Sequence, residues 1–215
     1  NSEKRIYIDL KNLRNKTSII SKLSRSGFRR SHDHMYIPHC DGCNLCISSR
    51  INLKKFNYTK STLRNLKKNL DLSISFNTKN IKKERYELFI KYCSQRHNNG
   101  QMQYMSIEEF ENFFHNNNND TIIVDLIDSR RNLYGSILLD ILEDGYSAVY
   151  SFFNPCSKKR GLGKNLILRS LELLKLNNKN NLYLGYWVKD SNKMNYKSSF
   201  EGLELFINGE WKSKS

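Results

Sequence analysis

The chain has 215 residues, of which 38% are hydrophobic and 12% aromatic, so it can form a sizeable folded core and is neither a peptide-sized module nor a disordered chain. No run of about 18 apolar residues and no charged-then-apolar leader occurs, so neither a membrane span nor a secretory signal is expected. Lys and Arg number 36 against 21 Asp and Glu, a net charge of +15, which favours nucleic acid, phosphorylated cofactors, acidic peptides or anionic lipid as partners.

The N-terminal part of the chain is basic and irregular. A short helix is predicted over 18–26 and ends at Gly27, which can adopt the left-handed conformation that closes a helix. A strand is predicted over 50–56. Leucines at helical spacing predict another helix over 60–70, with its lysines on the other face; these leucines are Leu63, Leu66 and Leu70.

Three of the five cysteines, Cys40, Cys43 and Cys46, form a Cys-x2-Cys-x2-Cys cluster. An odd number of cysteines and the missing leader argue against a disulfide framework and for a reducing compartment, where closely spaced thiols bind metal or do redox chemistry. Plain reduced thiols are the alternative. Cys93 and Cys156 stand alone and are expected to be small buried or half-buried apolar residues.

The C-terminal part of the chain begins with two predicted helices. The first covers 82–97, with Tyr86, Phe89, Ile90 and Cys93 on its core face, and the Asn98-Asn99-Gly100 turn ends it. Ser106 and Glu109 form a capping-box pattern that starts the next helix before a phenylalanine cluster.

Three β-rich segments follow, over 121–127, 132–142 and 146–153, and Asp144-Gly145 predicts a hairpin between the last two. A helix and a strand over 181–187 then complete a β-α-β unit. The segment 77–80 is the expected boundary between two domains, 1–76 and 77–215.

A basic glycine turn precedes the helix of the β-α-β unit and includes Arg160, Gly161 and Gly163. Glycines let backbone N–H groups approach an anion, and a helix N-terminus adds a positive dipole, so this turn is a candidate phosphate-binding element. The alternative is a glycine-bent connection without a ligand. The order of elements predicts an α+β fold of the acetyltransferase (GNAT) type, preceded by a Cys-containing N-terminal domain.

Several strings along most of the chain together resemble aminoacyl-tRNA:protein transferases. The strings are Gly27-Phe28-Arg29-Arg30-Ser31, Tyr36-x-Pro38-x-Cys40-x2-Cys43-x2-Cys46-x3-Arg50, Lys68-Asn69-x-Asp71-Leu72, Arg96-His97, Asp144-Gly145-x-Ser147 to Phe153, and Leu182-Tyr183-Leu184-Gly185-Tyr186-Trp187 through Lys193-Met194-Asn195-Tyr196-Lys197.

This resemblance implies a cytoplasmic enzyme that transfers an amino acid from charged tRNA to the N-terminal α-amine of proteins beginning with Asp or Glu, marking them for degradation. Similarity to the bacterial branch implies leucyl-tRNA as donor, with arginyl-tRNA as the alternative. The ester is already activated, so the chemistry requires no cofactor and no nucleophilic Ser or Cys, and positioning supplies much of the rate.

The resemblance also implies roles for individual residues. Basic positions that match the family pattern are candidates for binding the acidic N-terminus or the tRNA, with solvated surface charge as the alternative; they are Arg29, Arg30, Arg50, Arg64, Arg96 and His97. Trp187, Lys193 and Tyr196 are candidates to clamp the terminal adenosine where a strand opens. Asp140 and Tyr186 are the catalytic candidates, and Asp144 is expected to be a turn residue.

The sequence departs from the family pattern in two places. The paired arginines of one helix become Leu63-Arg64, which weakens or rearranges an anion contact. The family's Cys-Pro-Tyr element also lies before the first residue of this sequence. A structural zinc site needs four ligands, so His32, His34, His39 or a preceding segment would complete it, and an iron–sulfur cluster, as in eukaryotic relatives, is the other option.

Two other classes compete with this interpretation. An acetyl-CoA-dependent acetyltransferase would use the glycine turn for a pyrophosphate but would not need the cysteine-containing half. An RNA-binding or metal-knuckle module would explain the charge and the cysteines but not the β-α-β half.

Overall fold

A computed structural model describes residues 3–77, 82–96, 100–115, 120–192 and 194–214. It is a mixed α+β protein, as the sequence predicts. None of the helices in this described part is long and apolar enough to cross a membrane.

The regular elements follow one another in this order along the described chain. They are β1 (Arg5–Asp9), α1 (Lys16–Arg25), β2 (Arg29–Ser31), β3 (His34–Pro38), β4 (Ile47–Asn52), α2 (Lys60–Lys68), β5 (Ser73–Phe76), α3 (Lys82–Arg96), α4 (Ile107–Phe114), β6 (Thr121–Ile127), β7 (Leu133–Ile141), β8 (Gly145–Phe153), α5 (Leu162–Leu176), β9 (Asn181–Trp187), β10 (Leu203–Ile207) and β11 (Glu210–Ser213).

The chain packs into two compact units, each made of several segments. The first unit contains Asn1–Thr59, Asp140–Val149 and Leu173–Ser215, and the second contains Lys60–Leu139 and Tyr150–Glu172. Because these units are discontinuous in sequence, they do not test the expected division into domains 1–76 and 77–215, which stays a prediction. Most of the expected boundary, residues 78–80, lies outside the described residues.

The first unit contains two sheets and helix α1. One is the antiparallel sheet β1-β3-β2, and the other has the order β11-β10-β4-β9-β8. A core of Leu10, Ile20, Met35, Leu142 and Tyr183 is 5% exposed or less at every position, so apolar burial stabilises this unit.

The second unit contains strands in the order β5-β6-β7-β8, together with helices α2, α3, α4 and most of α5. Buried aromatic side chains join α3 and α4 to the C-terminal half of β8: the ring of Phe89 lies 4.9 Å from that of Phe110 and 5.6 Å from that of Phe152. Ser106 and Glu109 form the predicted capping box at the start of α4. The aromatic cluster therefore explains the phenylalanine-rich sequence around α4.

The predicted strands of the β-α-β region are confirmed to within one residue, and β8 runs parallel to β9. The predicted strand over 50–56 is wrong in position, because β4 ends at Asn52 and a 3-10 turn, Leu53–Lys55, follows it. That turn is capped by the Asn52 side chain, which accepts a hydrogen bond from the Lys54 N–H.

Helix α2 forms where expected, but it buries a different face. Leu63 is 52% exposed and Leu70 is 74% exposed, so the predicted leucine face is wrong. Thr62, Asn65 and Asn69 are buried instead. Their burial is favourable because the two asparagine side chains satisfy backbone carbonyls of the second unit.

Helix α3 contains a buried charge that periodicity does not reveal. Cys93 and Phe89 are buried as predicted, whereas Tyr86 and Ile90 are only partly buried. Arg85 is 1% exposed and donates through Nε to Asp125 Oδ1 at 2.9 Å, and a buried charge is tolerated when it is paired and hydrogen-bonded in this way. Residues 98–99 of the turn expected after α3 lie outside the described residues.

Candidate active site

Strands β8 and β9 pair and then separate within the first unit. Their register runs from the pair Gly145 and Asn181 to the pair Ser147 and Tyr183, while β9 stays paired with β4 as far as Trp187. We call the space between residues 148–149 of β8 and 184–187 of β9 the strand gap. Backbone groups that face such a gap need hydrogen-bond partners from side chains or from a bound substrate.

Arg29, from β2, lies at the strand gap. Its Nη2 donates a hydrogen bond to the Val149 carbonyl oxygen at 2.7 Å. A Cβ at Gly185 would lie 1.6 Å from Arg29 Nη1, and Gly185 has a positive φ of 74°, so this position requires glycine for both space and conformation. The guanidinium thus sits against β9 and binds β8, and no ion pair among the described residues includes it.

Lys197 is a functional candidate that sequence reasoning missed. It lies in the 3-10 helix Asn195–Ser199, is 6% exposed, and donates a hydrogen bond from Nζ to the Tyr186 carbonyl oxygen of β9. Burial, aided by the nearby positive charge of Arg29, lowers the pKa of Lys197 to about 7. Its sequence signal was its place at the end of a string that resembles the family, but nothing in the sequence indicated that it would be buried.

Tyr186 and Trp187 are largely buried in β9. The Tyr186 hydroxyl donates to the Tyr36 carbonyl oxygen at 2.8 Å, and burial raises its pKa. Trp187 is 8% exposed and its buried Nε1 lacks a partner among the described residues. These positions count against proton transfer by Tyr186 and against a stacking role for Trp187.

Asp140, the other catalytic candidate, is committed to Arg30. Both side chains are 1% exposed. Arg30 donates from Nε at 2.9 Å and from Nη2 at 2.7 Å to Asp140 Oδ1. A buried pair of this kind holds the fold together rather than meeting a substrate, so the geometry counts against the expected roles of both residues.

Arg50 is also bound within the protein. Its Nε donates to Glu204 Oε2 at 2.8 Å, and its guanidinium lies 4.4 Å from the centre of the Trp211 ring. Lys55 donates to the other oxygen of Glu204 at 2.7 Å. This network joins β4 to β10 and β11, which favours a structural role for Arg50.

In the second unit, the glycine turn is held by amide side chains. Asn65 Nδ2 donates to the carbonyl oxygen of Gly161 at 3.0 Å, and Asn69 Nδ2 donates to that of Arg160 at 3.0 Å. Gly161 has a φ of 63°, and a Cβ there would lie 2.8 Å from Asn65 Nδ2. At Gly163 a Cβ would lie 2.8 Å from the Phe153 ring. Internal packing is therefore sufficient to explain both glycines.

The Arg160 side chain is likewise engaged. Its Nε donates to Asn69 Oδ1 at 2.9 Å, and its Nη2 donates to Asp71 Oδ1 at 2.5 Å. The guanidinium lies 5.2 Å from the centre of the Tyr134 ring. This arrangement counts against the expected role of Arg160 in binding a substrate anion.

Other candidates lie on the surface or outside the described residues. Arg64 is exposed on α2. Arg96 is exposed at the end of α3, with its guanidinium 5.2 Å from the Phe153 ring centre, and Tyr196 is 46% exposed. His97 and Lys193 lie outside the described residues.

The cysteine cluster lines a cavity of about 360 Å³ together with Phe206, Ile207 and Asn208. Burial and the neighbouring thiols raise the pKa of Cys46. The described residues contain no group of three or more His, Cys, Asp or Glu arranged to hold a metal ion. A metal or cluster at these thiols therefore stays a prediction, which elemental analysis of purified protein would test.

The other two cysteines differ from each other. Cys93 is fully buried, with its Sγ 3.7 Å from the Tyr150 hydroxyl oxygen, as expected for a packing residue. Cys156 is exposed, so the prediction of a buried or half-buried position is wrong. It lies in the 3-10 helix Pro155–Arg160, where its backbone N–H donates to the Asn154 side chain.

Comparison with known proteins gives consistent results. The family models for the N and C termini of arginine-tRNA-protein transferase match residues 1–64 and 84–207. A protein of Hahella chejuensis named aspartate/glutamate leucyltransferase is 34% identical, covering 90% of this chain and 82% of its own. A protein of the same name from Nitrosococcus oceani is 39% identical, covering 89% and 80%.

Among solved structures, FemX is similar in fold. It aligns with 88% of this chain and 65% of its own at 10% sequence identity, with a TM-score of 0.55. This likeness confirms the predicted GNAT-like α+β fold and carries no information on substrates. By its match to both models and to these relatives, the chain belongs to the arginine-tRNA-protein transferase family and is an aminoacyl-tRNA:protein transferase.

Proposed function

We propose that this transferase moves leucine from leucyl-tRNA to the N-terminal α-amine of proteins that begin with Asp or Glu, and thereby acts in an N-degron pathway. The names of the Hahella chejuensis and Nitrosococcus oceani relatives support this choice of donor and acceptor. Arginine is the alternative donor residue, supported by the name of the family. Charged tRNA is a cytoplasmic substrate, so we propose the cytoplasm as its location.

The observation that carries the acceptor assignment is the placement of Arg29 at the strand gap. Its hydrogen bond to Val149 uses one of five guanidinium donors, and no ion pair among the described residues neutralises its charge. An Asp or Glu side chain at the first position of a peptide would supply the missing carboxylate through charge-assisted hydrogen bonds. Arg29 is therefore our candidate for reading the acidic N-terminus.

Donor binding requires a different kind of surface. Helix α2 exposes Arg64 with Lys67 and Lys68, and Arg96 is exposed on α3; cations of this kind bind phosphates without reading sequence. Tyr196 has enough exposed ring to stack on the terminal adenine. Arg96, with His97, also stays a candidate for the acceptor site.

The chemistry asked of the protein is aminolysis of an ester. The neutral α-amine attacks the ester carbonyl carbon and forms the C–N bond. The bond from that carbon to the ribose oxygen breaks, and the ribose oxygen takes up the proton that the amine loses. The enzyme's task is to align amine and ester, since correct orientation lowers the barrier by up to about 7–11 kcal/mol.

The test is a transfer reaction with purified protein. Asp- and Ala-initiated peptides are incubated with leucyl-tRNA, arginyl-tRNA or acetyl-CoA, and the peptides are weighed by mass spectrometry. We expect addition of one leucine to the Asp peptide alone. Addition of arginine would show that arginyl-tRNA, not leucyl-tRNA, is the donor. Acetylation would instead favour a CoA-dependent enzyme.

A further inference from the structure

Lys197 is buried in a place where the charged form of a lysine side chain is costly. It is 6% exposed, and the ion pairs among the described residues do not include it. Its hydrogen bond goes to the uncharged carbonyl oxygen of Tyr186. Buried lysines without a carboxylate lose their proton readily, because burial disfavours the charged form.

The neighbours of Lys197 reinforce this effect. Arg29 of β2 adds a like charge nearby. Tyr186 of β9 presents its backbone carbonyl to it, while the Tyr186 hydroxyl is turned to Tyr36. Tyr196 on the same 3-10 helix is uncharged at neutral pH, since a phenol has a pKa of about 10 and that of Tyr196 is shifted upward. Lys197 thus has neighbours that are cationic or neutral, and none among them would hold its proton.

Arg29 and Lys197 bind the two strands on either side of the gap. Arg29 binds the Val149 carbonyl of β8, and Lys197 binds the Tyr186 carbonyl of β9. Both carbonyls lie beyond the last paired residues, Ser147 and Tyr183. In an acceptor whose carboxylate pairs with Arg29, the α-amine is only three bonds from the carboxyl carbon in Asp and four in Glu. It would therefore lie on the side of the gap where Lys197, which is close enough to feel the charge of Arg29, is held.

We propose that Lys197 is the catalytic proton acceptor that takes the proton from the attacking α-amine in the strand gap. This inference rests on the proposed function, because it requires an acceptor amine bound beside Arg29.

Neutral Lys197 removes one proton from the amine nitrogen as that nitrogen forms its bond to the ester carbon. The resulting Lys197 ammonium then gives the proton to the ribose oxygen as its bond to the carbonyl carbon breaks. The products are an amide and a tRNA hydroxyl, and Lys197 returns to its neutral form without an oxidant or co-reactant.

A purely structural role is the competing explanation, and two substitutions separate the two. Lys197→Arg keeps a donor for the Tyr186 carbonyl but holds its proton at every working pH, whereas Lys197→Met removes both the donor and the base. The matched control is Lys179→Met: Lys179 also donates to backbone carbonyls, those of Leu142 and Glu143, but is not at the strand gap.

The measurement is single-turnover transfer from leucyl-tRNA to an Asp-initiated peptide at pH 7. We expect Lys197→Arg and Lys197→Met to slow transfer by about 10²-fold or more, the usual effect of losing a general base, with tRNA affinity unchanged. In a third variant, Lys197→Ala, which leaves space at the site, added small amines should restore part of the rate. Lys179→Met should transfer at the parent rate. An arginine variant as fast as the parent would overturn the proposal.

A further measurement uses the parent protein only, so it can be made even if the Lys197 variants fail to fold. The rate at which cyanate carbamylates Lys197 in the parent protein is followed against pH by mass spectrometry. We expect a midpoint near 7 and protection by the Asp-initiated peptide. A midpoint near 10, or carbamylated enzyme that is fully active, would overturn the assignment. Transfer of arginine, or indifference to the first residue of the acceptor, would contradict the proposed function while the slow arginine variant still supported Lys197.

Discussion

The strand gap and the glycine turn each combine an arginine with a glycine that leaves no room for a side chain, but they differ in what the arginine binds. At the turn, Arg160 is bound to Asp71 and Asn69, and the turn carbonyls are bound by Asn65 and Asn69. At the gap, Arg29 binds a neutral carbonyl and makes no ion pair among the described residues. A cation that is in no ion pair within the described part of the chain is the better candidate for binding an acidic substrate.

The two sets of glycines also differ in what they accommodate. Gly161 and Gly163 leave room for Asn65 and Phe153, and Gly185 leaves room for Arg29. A glycine-rich sequence therefore indicates close approach without saying what approaches, and only the structure separates internal packing from a substrate site.

The largest loss of rate in this comparison is expected from Gly185→Ala. A Cβ there would overlap Arg29 Nη1 and force a positive φ on alanine, so the guanidinium must move. A displacement of about 1 Å in a binding group can cost about 10²-fold in rate, so we expect a loss of this size in kcat/KM for an Asp-initiated peptide. Gly209→Ala is the control, because Gly209 has a φ of 80° with no atom within 4 Å of a new Cβ. Equal losses in both variants would mean that backbone strain, not Arg29, explains the effect.

The variant Asp140→Asn tests whether Asp140 of the first unit has a structural or a catalytic role. It leaves Arg30 buried without its anion, so we expect the free energy of unfolding to fall by about 3–5 kcal/mol, measured by urea denaturation. Asp71→Asn, which removes the exposed partner of Arg160, should cost less than about 1 kcal/mol. A stable but inactive Asp140→Asn protein would restore Asp140 as a catalytic residue.

Binding of leucyl-tRNA should depend steeply on salt. With a net charge of +15 and several phosphate contacts, affinity is expected to fall by orders of magnitude between about 50 and 200 mM salt. Arg64→Ala should reduce the slope of log Kd against log salt by about 1, measured by filter binding. An affinity that barely changes with salt would argue against an electrostatic tRNA surface.

The smallest effect is expected at the glycine turn. Because its guanidinium is already paired within the chain, Arg160→Ala should change kcat/KM by less than about threefold, or under 1 kcal/mol. The same steady-state assay measures it, and the loss of Asn69 and Asp71 contacts should appear as a modest drop in Tm. A loss of about 10²-fold with unchanged Tm would show that the turn binds a substrate anion after all.

Much of the fold could be predicted from the sequence, because local signals were strong there. The capping box of Ser106 and Glu109 and the β-branched composition of β6 are properties of short segments, and they place elements to within a residue. The short strands β1, β2, β3, β5, β10 and β11 were missed, since strands of three to five residues carry little periodicity. The leucine spacing predicted the wrong buried face for helix α2, because Asn65 and Asn69 are buried instead, where their side chains donate hydrogen bonds to backbone carbonyls.

The candidate site was only partly predictable. Arg29 could be named from its place in a family string, but its place at the gap depends on Val149 and Gly185, which are distant in sequence. Arg30 and Arg50 are equivalent to Arg29 in sequence terms, and their carboxylate partners Asp140 and Glu204 are just as distant. Lys197 was overlooked for the same reason, since burial is set by tertiary packing.

The central claim, that Arg29 at the strand gap reads the acidic N-terminus, is tested most directly by competition. Two peptides that differ only in beginning with Asp or Asn compete for limiting leucyl-tRNA, with the parent protein and with Arg29→Gln. We expect the parent to prefer Asp, because bound Asn would leave the charge of Arg29 unpaired. In Arg29→Gln no such charge is left unpaired, so the preference should fall by about tenfold or more, with tRNA binding unchanged. An Asp to Asn ratio that stays the same in Arg29→Gln would contradict this claim.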